Sequence, residues 1–214
     1  MDTTWRNITL EAAKRGIRAY NEGLYHGLKN VEIDRQARAT FSSGLGTTYD
    51  EILRQVTFIG RDYGGVAGQP GAISLAPEIA DDILQSRDQY HRTAIQAAPI
   101  AHQIASRSTI EVLYHPFVKP FNRSSKWQTW GSKFWHFLNP DAFPIADSRV
   151  NKFFGLFART NSIEMYLELL KRFRDFTQSH RDWLPHIREI DSGTAWCDNK
   201  LWDKMCYGLP EVKT

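Results

Sequence analysis

Apolar side chains recur every three or four residues in several separate stretches of this chain, and this spacing restricts the fold more than any other feature. The clearest stretch runs from Ser162 to about Gln178 and carries Ile163, Tyr166, Leu167, Leu170 and Phe173. Such spacing places the apolar residues on one side of an α-helix. The sequence therefore predicts an all-α fold, a multi-helix globular protein.

Predicted helices cover most of the chain, with breaks where glycine, proline or asparagine cluster. Thr47 or Thr48 is the expected N-cap of one helix, and Pro77 lies in the first turn of another. Thr109–Val118 has the β-branched content of a strand, but a helical turn is favoured because no second strand candidate is present. The predicted helices are residues 8–28, 47 or 48 to about 59, 77 to about 106 with a break or kink near Pro99, 124–138, a segment starting at Asp147, 162–178, and about 194–207.

The length of 214 residues suits one compact unit. A single helical domain over 1–214 is expected, and two lobes, 1–115 and 116–214, separated by a cleft are the alternative. Between Tyr63 and Pro77 four glycines and Pro70 interrupt both helix and strand. This segment is predicted to be a surface connector, with a ligand-covering lid as the alternative.

The two cysteines, Cys197 and Cys206, have no neighbouring His or Cys at metal-ligand spacing. Two buried free thiols are expected, with no metal and no cofactor. No window approaches the roughly 18 apolar residues that span a bilayer, and no apolar run follows the N-terminus. A cytoplasmic protein without a membrane partner is expected.

Positive charge is concentrated in one part of the chain. The segment from Lys119 to Arg159 contains seven Lys or Arg and two Asp, an excess of five, whereas the whole chain has a net charge of +3. A net charge of +3 alone does not indicate nucleic-acid binding, but this uneven distribution indicates where an anionic partner would bind. DNA is one such anionic partner.

The same segment is rich in aromatic residues and contains a helix start. The predicted helix at 124–138 carries Trp127, Trp130 and Trp135 and is expected to be interrupted at Gly131-Ser132-Lys133. After a tight connection, Phe143-Pro144-Ile145-Ala146 is predicted to be extended and Asp147 to begin the next helix. Asp147 is then expected to accept backbone N–H bonds as an N-cap.

The stretch Pro144–Leu156 resembles the region around the catalytic aspartate of the helix-hairpin-helix base-excision DNA glycosylases. In that family a short apolar run reaches an Asp, followed by Ser or Thr, one further residue, an aliphatic residue and, about five residues later, Gly-Leu. The resemblance covers roughly an eighth of the chain and implies an all-helical fold with a cleft between two lobes. The family's Leu-Pro-Gly-Val-Gly hairpin has no counterpart before Lys133.

The resemblance implies roles for Asp147 and Lys133. Asp147 would match the catalytic Asp, which stabilises positive charge on the sugar or orients water. Lys133 lies near the position of the nucleophilic Lys of bifunctional members, and a desolvated amine would attack the sugar carbon. The implied binding residues for the extruded base and its phosphates are Trp127, Trp130, Trp135, His136, Arg149, Lys126 and Lys152.

Each of these residues also has a structural alternative. Asp147 would be only an N-cap, Lys133 a phosphate contact, and the tryptophans core residues. Arg149 would form an ion pair with Asp147 instead of binding a phosphate. The alternative for the whole protein is a non-catalytic helical module that binds nucleic acid or protein with the same basic face.

A second resemblance is to small uncharacterised bacterial proteins. They pair a Phe-Pro-Ile-x-Asp-Ser-Arg-Val segment with a C-terminal Asp-x-x-Leu-Trp, which here corresponds to Asp198-Asn199-Lys200-Leu201-Trp202. This resemblance implies no activity.

Overall fold

The computed structural model shows an all-α protein, as the sequence predicts. It describes residue 5 and residues 7–65, 69–96, 119–125, 127–156, 163–191, 193 and 197–209. The α-helices are α1 Leu10–Glu22, α2 Asn30–Thr40, α3 Tyr49–Thr57, α4 Ala76–Gln85, α5 Arg87–Gln96, α6 Trp127–Leu138, α7 Ser148–Phe153, α8 Ile163–Ser179, α9 Leu184–Arg188 and α10 Asp198–Gly208. The remaining elements are strands β1 Leu24–Tyr25 and β2 Leu28–Lys29, a π-helical turn at Phe58–Asp62, and 3-10 turns at Pro70–Leu75, Lys119–Phe121 and Arg181–Trp183.

The first and last helices of the described chain pack directly against each other. α1 crosses α10 so closely that a Cβ added to Gly16 would lie 2.6 Å from the carbonyl oxygen of Met205. The helices share one cluster of buried apolar side chains with the rest of the described chain, from Trp5 to Cys206. Burial of such surface is the main favourable contribution to folding.

The predicted helix at 8–28 extends six residues too far at its C-terminal end. α1 ends at Glu22, and an antiparallel hairpin follows in which Tyr25 pairs with Leu28. The hairpin turns at His26 and Gly27, which both have positive φ. Asn30 then donates to the carbonyl oxygen of Tyr20 at 2.9 Å, so the end of α1 is stabilised by a residue beyond the hairpin.

The predicted cap at Thr47 or Thr48 is confirmed as Thr48. Thr48 and Glu51 form a reciprocal capping box at the start of α3. At its other end α3 continues into the π-helical turn, where the N–H of Tyr63 bonds to the carbonyl of Phe58 at 2.9 Å. π-helical turns occur frequently at functional sites, and this one ends beside the candidate site.

The glycine-rich segment is only partly the surface connector that the sequence predicts. Gly64 and Gly65 are buried, and Gly64 has a φ of 74° in close contact with the hydroxyl of Tyr25. The chain needs glycine at this position because of both the positive φ and the contact. Pro70–Leu75 forms a 3-10 turn, and Pro77 lies in the first turn of α4, as predicted.

α6 is continuous, so the predicted interruption at Gly131-Ser132-Lys133 is wrong. All three residues are buried within the helix. Burial on both sides of the helix outweighs the low helix propensity of Gly131. The predictions for residues 97–118, including Pro99 and the segment Thr109–Val118, lie outside the described residues.

The C-terminal third agrees with the helical pattern. α8 runs from Ile163 to Ser179, as predicted, and α10 begins at Asp198, whose preceding residue Cys197 accepts the N–H of Lys200. Cys197 and Cys206 are buried and free, which confirms that prediction. None of the described helices is both long enough and apolar enough to cross a membrane.

Candidate active-site cleft

A cleft of about 230 Å³ lies where α1, the hairpin, α2, the π-helical turn, α6, α7 and α10 meet. It contains both Lys133 and Asp147. Four tyrosines contribute to the lining, whereas none of the tryptophans that the structure describes does. The lining residues are Tyr20, Tyr25, Asn30, Ile33, Tyr63, Gly64, Gly65, Thr129, Lys133, Ile145, Asp147, Ser148, Arg149, Asp203 and Tyr207.

α6 holds the segment that leads to Asp147. The hydroxyl of Ser132 accepts the N–H of Ala146 at 2.9 Å. One turn later Nδ1 of His136 lies 2.8 Å from the carbonyl oxygen of Phe143. The segment is thereby fixed along α6 at two points, and Lys133, the residue after Ser132, comes to the same cleft as Asp147.

Asp147 is the N-cap of α7, as the sequence predicts. Its Oδ1 accepts the N–H of Arg149 and of Val150, both at 3.0 Å. No described residue donates to Oδ2. The two backbone bonds therefore hold the carboxylate in one orientation while a second oxygen stays available to a molecule in the cleft.

Lys133 is buried, with 8 % of its surface exposed. Its Nζ donates to the main-chain carbonyl oxygen of Tyr63 at 3.1 Å. Burial lowers the pKa of Lys133 and the negative charge of Asp147 opposes that effect. A lowered pKa increases the fraction of neutral amine, which is the nucleophilic form.

A second lysine, Lys200 on α10, is fully buried beside the cleft. Its Nζ lies 3.0 Å from Oδ1 of Asp34 and 2.7 Å from Oδ2 of Asp203. It also donates to the hydroxyls of Tyr63 at 2.6 Å and Tyr20 at 3.3 Å. Burial opposes the charge of Lys200, but Asp203 and Asp34 outweigh it and hold its pKa well above the usual value. These five side chains are called the Lys200 cluster below.

Two further ionic groups extend the Lys200 cluster away from the cleft. Nζ of Lys204 lies 2.5 Å from Oδ1 of Asp191 and 4.0 Å from Oδ2 of Asp34. All of these charges are nearly excluded from water, and breaking one such pair costs about 3–5 kcal/mol. These ion pairs therefore hold the charged side chains beside the cleft in fixed positions.

Arg149 is exposed at the mouth of the cleft. Its guanidinium carbon lies 3.9 Å from the centre of the Tyr207 ring, and Nη1 donates to the carbonyl oxygen of Tyr207 at 2.7 Å. No ion pair joins Arg149 to Asp147 in the described part of the chain, so that alternative is wrong. The stack fixes the guanidinium and leaves its other N–H groups for an anion.

The three predicted tryptophans are absent from the cleft lining. Trp130 and Trp135 are core residues with 0 % and 2 % exposure, and Trp127 is partly buried against the core. Nε1 of Trp130 donates to the carbonyl oxygen of Val56 at 3.0 Å. The tryptophans are therefore core residues, which is the structural alternative given for them. Most of α6 is buried against other elements, so these side chains do not reach the cleft.

Two other predicted binding residues, His136 and Lys152, do not line the cleft. His136 is fully buried, and burial lowers its pKa to about 3, so the ring is neutral and its protonated Nδ1 donates to Phe143. Lys152 is half-buried on α7 outside the lining. Arg123, from the same basic segment, is ion-paired with Glu78 and Asp82. Lys126 lies outside the described residues.

Sequence reasoning missed the tyrosines and Asp203. Tyr20 is buried on α1 like its apolar neighbours, but its phenol donates to Asp34 at 3.0 Å. Asp203 follows Lys200 by three residues, a spacing that places both on one side of a helix. Such charges within the apolar sequence around Leu201 and Trp202 are the signal that would have identified this buried cluster.

No three His, Cys, Asp or Glu side chains in the described ranges are grouped so that they would hold a metal ion. Comparison of the chain with protein-family models, with curated proteins and with solved structures gave no significant match. Function is therefore inferred from the cleft itself.

Proposed function

We propose that this protein is a DNA N-glycosylase with lyase activity, which removes a base from DNA with Lys133 as nucleophile and Asp147 as the stabilising carboxylate. The observation that carries the proposal is that a buried lysine amine and a fixed carboxylate line one cleft. Nucleophilic catalysis by lysine requires a desolvated amine of lowered pKa, and Lys133 has both properties.

The proposed step is substitution at the anomeric carbon of a deoxynucleotide. The lone pair of the neutral Lys133 amine forms a bond to this carbon while the bond to the base breaks, with its electron pair going to the base. The amine releases a proton to solvent and the base takes one up. The sugar ring then opens to a protonated imine as its ring oxygen gains a proton. Loss of a proton from C2′ to solvent forms a C2′–C3′ double bond while the C3′–O bond breaks and the 3′-phosphate leaves with its electron pair, which is the lyase step. Water then hydrolyses the imine and restores the amine.

Asp147 contributes electrostatically to this step. Positive charge develops on the sugar as the base departs, and a carboxylate held in advance stabilises it without reorganising. Two backbone bonds already fix Oδ1 of Asp147. If water is the nucleophile instead, the same carboxylate orients it and Lys133 contacts a phosphate.

The tyrosines replace the predicted tryptophans as the surface that holds an extruded base. Enzymes that act on a base take it out of the stack and hold it between aromatic or apolar side chains. Tyr25 and Tyr207 are half-buried in the lining of the cleft, and aromatic rings stack readily on bases. Arg149 at the mouth would bind an adjacent phosphate.

The second candidate is a non-catalytic module that binds nucleic acid or protein through the same surface. One observation favours it: the hydrogen bonds of Asp147 and of Lys133 stabilise the fold irrespective of any reaction. Such a module would bind DNA in a salt-dependent manner, with equal affinity in the wild type and in Asp147→Asn.

Base release from a panel of damaged-base duplexes distinguishes the two candidates. The wild type should release at least one base, and Lys133→Gln and Asp147→Asn should each lose most of that activity. Lys171→Gln, a change at an exposed lysine of α8, is the matched control and should retain full activity. Equal activity in wild type and Asp147→Asn would remove Asp147 from the mechanism, and salt-dependent binding without release would favour the module.

A further inference from the structure

Tyr63 lies between two buried lysines. Its main-chain carbonyl accepts a hydrogen bond from Lys133, and its phenol accepts one from Lys200. Both Nζ atoms lie 5.3 Å from the centre of its ring. Tyr63 is therefore the one described residue that contacts both amines through hydrogen bonds.

The position of Tyr63 is fixed from both sides. The π-helical turn holds its backbone through the bond from its N–H to Phe58. Its phenol also donates to Oδ1 of Asp34 at 2.8 Å. Because the helical turn ends here, the carbonyl of Tyr63 has no partner within the helix and is available to Lys133.

We propose that Tyr63 is a positioning residue that orients the amine of Lys133, and that Lys200 together with burial keeps this amine in the neutral, nucleophilic form. This inference rests on the proposed function only in taking Lys133 as the nucleophile. A neutral amine that donates one N–H to the carbonyl of Tyr63 keeps its lone pair for the cleft. A second positive charge close to the ammonium of Lys200 is disfavoured in a region of low dielectric.

The charges that face Lys133 come from three elements. Asp147 at the start of α7, Asp203 on α10 and Asp34 on α2 favour its protonated form, whereas Lys200 on α10 and burial oppose it. Asp203 bonds Lys200 and also lines the cleft. Removal of Lys200 and removal of Asp203 should therefore change the protonation of Lys133 in opposite directions.

The test measures Lys133 alone, without DNA, in the full-length protein. Glycolaldehyde and cyanoborohydride label lysines: the amine adds to the aldehyde carbon, water leaves to give an imine, and hydride from cyanoborohydride reduces it to a secondary amine. Peptide mass spectrometry gives the rate at Lys133 relative to the exposed Lys171 in the same sample. Labelling rates measured across neutral and alkaline pH give a midpoint for Lys133, the pH at which its labelling rate is half of the maximum.

The expected result is a pair of shifts with opposite signs. Lys200→Met should raise the midpoint by about half a pH unit or more, and Asp203→Asn should lower it. Lys200→Arg keeps the charge and should restore a midpoint near that of the wild type. Tyr63→Phe should lower the maximum rate, because the phenol no longer anchors the residue that orients the amine, with a smaller effect on the midpoint.

Structural damage gives a different pattern, since exposure of Lys133 would move its midpoint upward in every variant. Upward shifts in both Lys200→Met and Asp203→Asn, or no shift in either, would overturn the inference. Thermal melting identifies any variant that does not fold. If Lys200→Met does not fold, the other two variants still decide the outcome. Asp203→Asn should lower the midpoint of Lys133, and Lys200→Arg should keep it near the wild-type value.

Failure of this inference is distinguishable from failure of the proposed function. Opposite shifts without release of any base from DNA would support the tuning of Lys133 and contradict the DNA substrate. Base release that requires Lys133, together with midpoints that do not respond to Lys200 or Asp203, would support the glycosylase and contradict the tuning.

Discussion

The hydroxyl of Ser132 accepts the backbone N–H of Ala146 at 2.9 Å. This one bond joins the residue before Lys133 to the residue before Asp147. α6 and the start of α7 are thereby aligned so that an amine and a carboxylate line the same cleft. The geometry of the candidate site depends on this link between two residues that have no direct part in the proposed reaction.

Ser132→Ala removes that link and should affect both stability and activity. The buried N–H of Ala146 loses its partner, which costs about 1–3 kcal/mol, and the displaced Asp147 should reduce base release by roughly tenfold or more. Urea unfolding and the duplex assay measure the two effects. Ser74→Ala, which removes an exposed hydroxyl bonded to Gly71, is the control and should leave both nearly unchanged.

The two roles of Asp147 can be separated by the choice of substitution. Asp147→Ala removes the N-cap of α7 and should cost about 1 kcal/mol, whereas Asp147→Ser and Asp147→Asn retain capping. All three lack the carboxylate and should lose roughly 100-fold or more in base release. If Asp147→Ser were fully active, the residue would be an N-cap and nothing more.

The helices and the N-cap could be predicted because they depend on local sequence. The stripe at Ile163–Phe173 and the caps at Thr48 and Asp147 are set by neighbours within one turn. The end of α1 was predicted too late because Asn30, eight residues after the last residue of the helix, bonds back to Tyr20. Contacts of that kind have no local signal.

The candidate site was predicted less well than the helices. Lys133 and Asp147 were selected from one contiguous segment, and the structure places both in one cleft. The roles assigned to both remain predictions. Partners from other elements were missed because tertiary packing brings them to the site. The packing of α1 against α10 brings Tyr20 near Asp203, and the π-helical turn brings Tyr63 to Lys200. Aromatic content pointed to the tryptophans, but their size favours burial in the core.

His136 should make the protein sensitive to acid. Burial lowers its pKa to about 3 from a usual value of 6.5, so between these values the unfolded chain binds a proton that the folded chain does not. Stability should be lost as pH falls through this window, by roughly 1.4 kcal/mol per pH unit below 6.5. Urea unfolding at pH 8 and pH 5 measures this loss.

The control for the His136 prediction compares how steeply the free energy of unfolding changes with pH in different variants. His136→Gln should unfold with a smaller pH dependence than the wild type, even if it is less stable at pH 8. His26→Asn, a change at an exposed residue of the hairpin, should keep the wild-type dependence. An unchanged slope in His136→Gln would show that other groups cause the acid sensitivity.

Trp130 should be essential for stability because it lies in the core. Trp130→Ala should cost about 3–5 kcal/mol, since it creates a cavity and removes the indole N–H that donates to the carbonyl of Val56. Trp183→Ala, at a partly buried residue, should cost less. A Trp130→Ala protein of wild-type stability would contradict the description of this core.

Borohydride trapping of the wild type on a duplex with an abasic site tests whether Lys133 is the nucleophile. The aldehyde of the opened sugar condenses with a lysine amine, water leaves, and borohydride reduces the imine to a stable protein–DNA adduct. We expect an adduct that peptide mass spectrometry maps to Lys133. This adduct should be absent in Lys133→Met and should form more slowly in Asp147→Asn. An equal adduct yield in Lys133→Met, or an adduct mapped to another lysine, would contradict that role of Lys133.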